Sequence, residues 1–280
     1  MASTIKKAIL AASIALISFN AQATLTSYNS NGKDLVYSSV SDATWTKDGN
    51  LLGSMIANYG FNTVVNNILS ASPTISNYPN YYSPTGTYTL SADDFSDTQL
   101  GRTTWFGAMA FANYLNSISY GGSTHWEIPT FTNPTFCFDS VGGSNCGYNV
   151  ATNGTIGGDE LPELFHLELG SNSFRDRNGF NVIDLGLPFG IQDLDNKFDN
   201  EMFDGYWSGS EYGQPNTENT ISWYFLMSAG SRSTNYKNAL LYAWAITPGQ
   251  ITIVPEPESL MMLFAGLGLL GIAVRRNKQA

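Results

Sequence analysis

One uncharged apolar stretch near the C-terminus, Ser259 to Val274, lies between Pro255-Glu256-Pro257 and Arg275-Arg276, with Lys278 just beyond. As a helix rising 1.5 Å per residue it spans about 24 Å, close to the lower limit for crossing a bilayer. It can just insert and reads as a short transmembrane helix, with a permanent single-span anchor or a core helix as the plainer readings. Basic residues that stop such a span stay on the cytoplasmic side, which places the chain before Pro255 outside. The other end agrees. Lys6-Lys7, an apolar run from Ala8 to Phe19, and Ala21-Gln22-Ala23 have the order of an export leader with cleavage after Ala23. Three parts are therefore expected: a signal peptide at 1–23, a globular domain at 24–253 and a membrane-sorting tail at 254–280.

The tail, with Pro255-Glu256-Pro257, a short span and Arg275-Arg276 in order, resembles a PEP-CTERM sorting signal. The resemblance covers the last 27 residues. In Gram-negative bacteria that make extracellular polysaccharide, such tails are cut near the Pro-Glu-Pro by a membrane protease, exosortase. The resemblance thus implies exosortase and, transiently, the inner membrane as partners. It also implies a mature protein that ends near Val254 and resides at the cell surface or in the extracellular matrix.

Charge narrows what the mature domain can bind. Of 13 Lys and Arg, five lie in the two ends, and of 23 Asp and Glu only Glu256 and Glu258 do, leaving 8 positive and 21 negative charges in between, a net of −13. Such a surface repels phosphate backbones, which argues against nucleic acid and leaves cations open as partners. Cys137 and Cys146 are the only cysteines and bracket a Gly-rich loop. In an oxidising compartment they are expected to form a disulfide, with a reactive or metal-binding pair as the alternative.

The apolar pattern predicts α+β, with an antiparallel sheet, two helices and long loops. Strands are expected at Asp34-Leu35-Val36-Tyr37, Ala43 to Thr46, Tyr206 to Tyr212, Ile221 to Ser228 and Leu240 to Thr247, with a strand-like run at His125 to Ile128. Ala229 to Asn238 reads as a turn, and Ser72 to Thr87, with Pro73, Pro79 and Pro84, reads as loop. A helix capped by Thr103 or Thr104 buries Trp105, Met109, Ala112, Leu115 and Ile118. A second runs from Glu160 to Leu169, with Leu161, Leu164, Phe165 and Leu167 to Leu169 on its buried side and Gly170 as its stop, and a further short one is open at Asn62 to Leu69.

Several fragments, in order, resemble the C-terminal domain of a collagen-like bacterial adhesin. They are Leu35-Val36-Tyr37 with Thr44-Trp45, Trp105 to Leu115 leading to His125-Trp126-Glu127-Ile128-Pro129-Thr130, and Glu160-Leu161-Pro162-Glu163-Leu164-Phe165-His166-Leu167-Glu168-Leu169-Gly170. Tyr206 to Tyr212 and Tyr242 to Ile246 complete the set. The family's strand before Pro usually carries Arg where Glu127 stands here, which puts in doubt an anionic ligand contact at that point. The resemblance implies a fold similar to C-type lectins and to formylglycine-generating enzymes.

Nothing in the sequence composes an active site. His125 and His166 are 41 residues apart, no Gly-x-Ser-x-Gly is present, and both cysteines are committed to one small loop. The expectation is a non-enzymatic structural or adhesive protein, with no certain cofactor. The alternative is a calcium-assisted, lectin-like polysaccharide binder. Asp193, Asp195, Asp199 and Glu201 supply oxygen ligands of the kind calcium uses, although without EF-hand spacing, and they read equally as a solvated acidic loop. Gln214, Asn216 and Glu218 form a candidate ligand loop, together with Tyr78, Tyr81 and Tyr82 in the Pro-rich stretch. The six tryptophans fall in expected strands and in the main helix, where they read as core.

Overall fold

The computed structural model describes residues 25–132, 159–173, 186, 188, 190–193, 196–212 and 219–252. The expected signal peptide and its boundary, the Cys137–Cys146 pair, and the tail with Pro255, Glu256, Pro257, Arg275 and Arg276 all lie outside these residues. Among the described residues no helix is long and apolar enough to cross a membrane.

The described chain is α+β. It opens with a meander, β1 (Leu25–Ser30), β2 (Lys33–Ser38) and β3 (Ala43–Thr46), followed by helices α1 (Leu51–Tyr59) and α2 (Phe61–Ala71). A short hairpin, β4 (Thr74–Ser76) and β5 (Thr87–Thr89), precedes β6 (Arg102–Thr103) and helix α3 (Trp105–Ser117). A short helix α4 (Glu160–Glu163) runs on into a π-turn at Leu164–Glu168. Strands β7 (Gly205–Glu211), β8 (Ile221–Leu226), β9 (Ser231–Tyr236), β10 (Leu241–Tyr242) and β11 (Ile246–Pro248) end the described chain.

Among the described residues one sheet has the order β1-β2-β3-β11 and a second the order β6-β10-β7-β8-β9. Every pairing is antiparallel except β10 with β7, which pair in parallel through Tyr242 and Tyr206. Successive strand residues point to opposite faces, so adjacent buried residues reveal a sheet covered on both sides. Leu35 joins the core beneath α1, α2 and α3, whereas its neighbour Val36 joins a second core with Trp45, Trp244 and Phe225. Tyr206 and Trp207 divide between the two cores in the same way.

All six tryptophans are buried, as expected. Four of the six rings give their buried N–H a backbone acceptor, as a buried donor needs, whereas the Trp45 N–H finds none among the described residues. Trp105 donates to the Ser208 carbonyl at 2.9 Å, Trp207 to that of Thr103 at 2.9 Å, Trp126 to that of Tyr120 at 2.8 Å and Trp244 to that of Thr46 at 2.9 Å. The α3 helix starts where its cap predicts: the Thr104 hydroxyl accepts from the Gly107 N–H at 3.2 Å.

Three expectations are corrected, and one helix is added to those expected. Leu51–Tyr59 is helical, held by the Asn50 side chain, which accepts from the Gly53 N–H. Within the expected loop at 72–87, Thr74–Ser76 pairs as a strand with Thr87–Thr89. Within the expected turn at 229–238, Ser231–Tyr236 is the edge strand β9, and turns remain only on either side of it, before it where Gly230 takes φ +62° and after it at Lys237 and Asn238. At the ends of the two helices, Ile118 and Leu167 are exposed, not buried, while Glu160 and Glu163 turn inward.

Candidate functional site

The β4–β5 hairpin carries the Pro-rich stretch out of the fold as a tied loop. Asn80 organises it: its side-chain carbonyl accepts from the N–H groups of Tyr82 at 2.8 Å and Ser83 at 3.1 Å, and the Ser83 hydroxyl donates to Asn77 at 2.7 Å. Gly86, at φ +77°, closes the loop through its N–H to the Ser83 carbonyl. These bonds hold Tyr78 and Tyr81 61% and 77% exposed, as the sequence leads one to expect. Tyr82 differs from expectation. It is half-buried, with its ring edge-on to Phe106 at 6.4 Å, so it anchors the loop while Tyr78 and Tyr81 face solvent.

A buried ion pair fixes this loop to the second sheet. The Glu211 carboxylate accepts from the Tyr78 backbone N–H at 3.1 and 3.3 Å and pairs with the Lys237 ammonium. Lys237 is fully buried, with its nitrogen 4.7 Å from the centre of the Trp105 ring. Burial lowers its pKa, and the hydrogen bond and charge of Glu211 oppose that shift. A charge so placed persists because it is both paired and set on an aromatic face.

Gln214, Asn216 and Glu218 lie outside the described residues, but the residues on either side reach the same loop. Glu211 holds Tyr78, and the Asn219 side-chain amide donates to the Pro79 carbonyl at 3.4 Å. Tyr236, 60% exposed, stands at the end of β9 close enough to Tyr82 to raise its pKa slightly, after burial as the main cause. Tyr236 is thus a fourth tyrosine of this surface. The polar run 229–238 reads as a turn in sequence, so the place of Tyr236 on this surface is not legible there.

The acidic segment is divided. Asp193 and Glu201 meet at a cavity of about 280 Å³ that Asn196 and Phe198 also line. Burial pushes Glu201 up to about 7, and the adjacent Asp193 and Asp199 carboxylates add to the effect. Asp193 is partly committed, since it accepts from the Phe198 N–H at 2.6 Å. Asp199 is drawn away into an ion pair with Lys47 at 2.9 Å, beside reciprocal backbone bonds that tie this segment to Lys47 and Gly49. Asp195 lies outside the described residues. Among the described residues no three His, Cys, Asp or Glu side chains converge as a metal set.

A second acidic group went unrecognised in the sequence. Asp159, Glu160 and Glu163 are all buried on α4 and its cap. Asp159 is satisfied by Arg232 at 2.6 Å and the Thr132 N–H at 2.6 Å, and Glu160 by the Thr130 N–H at 2.8 Å. Burial pushes Glu160 up to about 8 and Glu163 up to about 7. His166 is half-buried and sits edge-on to Phe165 at 4.8 Å, whereas His125 is exposed.

Compared with known proteins, residues 254–277 match the PEP-CTERM protein-sorting motif. No curated protein and no solved structure matches the chain. The motif implies an exported protein that is anchored transiently in the membrane and processed by exosortase.

Proposed function

We propose that this chain is an exosortase substrate whose mature domain acts outside the cell as a non-enzymatic structural or adhesive component of the surface or extracellular matrix. The observation that carries this reading is the sorting motif at 254–277. Its three parts are a turn-forming Pro-Glu-Pro, a span at the lower limit of bilayer thickness and a basic stop, a design suited to brief residence in a membrane. Replacing Pro255, Glu256 and Pro257 with Ala tests it directly. The uncut chain is expected to accumulate in the inner-membrane fraction, and release at the wild-type rate contradicts the reading.

Adhesion is assigned to the tyrosine surface. Tyr78 and Tyr81 present aromatic faces on a loop pinned by a buried ion pair, and Tyr236 adds a third from the end of β9, so little ordering cost remains on binding. With a net charge of −13 over the mature region, the fitting partner is a neutral extracellular polysaccharide, not a polyanion. Tyr78→Ala with Tyr81→Ala is expected to abolish retention on such a polymer while changing stability by less than about 0.5 kcal/mol, as exposed sites do. Unchanged retention removes the surface from the account. A calcium-assisted, lectin-like mode draws support from Asp193 and Glu201 at one cavity and from the order of the short motifs that resemble the adhesin domain. Loss of retention on chelation, restored by calcium, is the result that mode requires.

A further inference from the structure

The segment Glu160–Glu168 carries a feature that the sorting and adhesion readings do not use. In a regular α-helix, residues five apart point about 140° away from each other. Here the helix widens after Glu163: the Leu169 N–H bonds the Leu164 carbonyl five residues back at 2.9 Å, and the Ser171 N–H bonds the Phe165 carbonyl. That π-turn rotates Glu168 back toward the side on which Glu163 lies, and the two carboxyls act on each other electrostatically.

Neither carboxyl has the partners a buried charge requires. Glu163 is 0% exposed, and neither of its oxygens has a hydrogen-bond partner among the described residues. Both Glu168 oxygens are also enclosed. The Ser38 hydroxyl and the Val40 N–H beside them favour the charged form, but burial outweighs them and raises the pKa. Among the described residues, the cation that reaches this segment is Arg232 of β9, and it is engaged by Asp159. The other charged or titratable groups around it are Glu160, Glu127 beyond it, and Tyr37, whose hydroxyl donates to Asp42 at 2.7 Å. All of these are acidic. His166, on the same segment, packs against Phe165 and Phe225. An enclosed carboxyl with no cation and no full set of donors is stable only as the neutral acid.

We propose that Glu160–Glu168 is a proton-held latch: Glu163 and Glu168, as neutral acids, seat the segment against the β2–β3 connection and the β8–β9 hairpin, and alkaline medium releases it. Phe165 is the plug it withdraws, since that ring lies 5.4 Å from Phe225 and fills the space over Gly230. The proton balance gives the sign. Burial holds Glu163 and Glu168 each up to about 7, above their unfolded values near 4.5, so the seated state binds extra protons and weakens as pH rises between those limits. A protein exported beyond the cytoplasm meets the pH of its surroundings, so the latch would report it. This inference does not depend on the adhesive reading.

Hydrogen exchange with peptide-level mass readout on the full chain tests it, at pH 6 and pH 8.5, corrected for the intrinsic exchange rate. The peptide covering 159–170 should lose at least tenfold in protection at pH 8.5, while a peptide within β7 and β8 stays protected as the control for global folding. Glu163→Gln with Glu168→Gln, which mimics the neutral acids, should keep the segment protected at both pH values. Equal protection of the wild type at both pH values overturns the proposal without recourse to any variant. So does a variant that still loses protection at high pH, and so does millimolar calcium restoring protection to the wild type, which would assign a cation to the two carboxyls.

Discussion

Lys237 shows how much a single residue holds here. Its ammonium is buried on the Trp105 ring and neutralised by Glu211, which in turn holds the Tyr78 backbone. Lys237→Ala leaves a largely buried carboxylate without its cation, and a loss of about 3–5 kcal/mol in unfolding free energy is expected from urea denaturation. Glu160 gives a pH-dependent counterpart. Burial raises its carboxyl to about 8 from an unfolded value near 4.5, so the stability it contributes is complete below 4.5 and is lost as pH climbs toward 8. Glu160→Gln keeps an acceptor for the Thr130 N–H, and its stability relative to wild type should rise between pH 5 and pH 9 by an amount on the order of 4 kcal/mol. A flat difference across that range would mean that Glu160 is already ionised in the fold. Neither residue was recognisable in the sequence. A lysine in a polar run and a glutamate at a helix start both read as surface, and only their tertiary partners show otherwise.

Elements were legible in the sequence where local chemistry agrees with tertiary packing. The α3 helix has a threonine cap and apolar residues three and four apart, and it forms where that pattern places it. The α1 helix is less plain because its cap is an asparagine followed by only nine residues, ended at Gly60 with φ +85°. Asn50 both caps that helix and donates to the Leu100 carbonyl at 3.3 Å, so Asn50→Ala should cost about 1 kcal/mol or somewhat more, measured as a shift in thermal midpoint. Strand β9 was hidden for a different reason. Ser231 to Tyr236 has no alternation of apolar residues, and its strand character comes from pairing with β8 through six residues in register. The π-turn has no sequence signal that distinguishes it from an ordinary helix, so the inward rotation of Glu168 emerges only from the backbone. The candidate ligand surface was half legible: exposed Tyr78 and Tyr81 follow from a Pro-rich loop, whereas Tyr236 joins them through sheet order alone.

At the scale of the whole molecule, charge and hydrophobicity are segregated along the chain. Apolar residues concentrate at the two ends, five of the 13 basic residues flank them, and the acidic residues lie almost entirely between. This is why destination is the part of function most readable from sequence: it is encoded in linear order, whereas a binding surface is assembled from distant segments. The matched sorting motif at 254–277 turns that order into a definite statement about processing. The measurement that tests it most directly is the intact mass of the protein recovered from the outside of its native cells. The account predicts a species that ends near Val254 and lacks Arg275-Arg276. A mass that still includes those two arginines would contradict it and make the tail a permanent anchor.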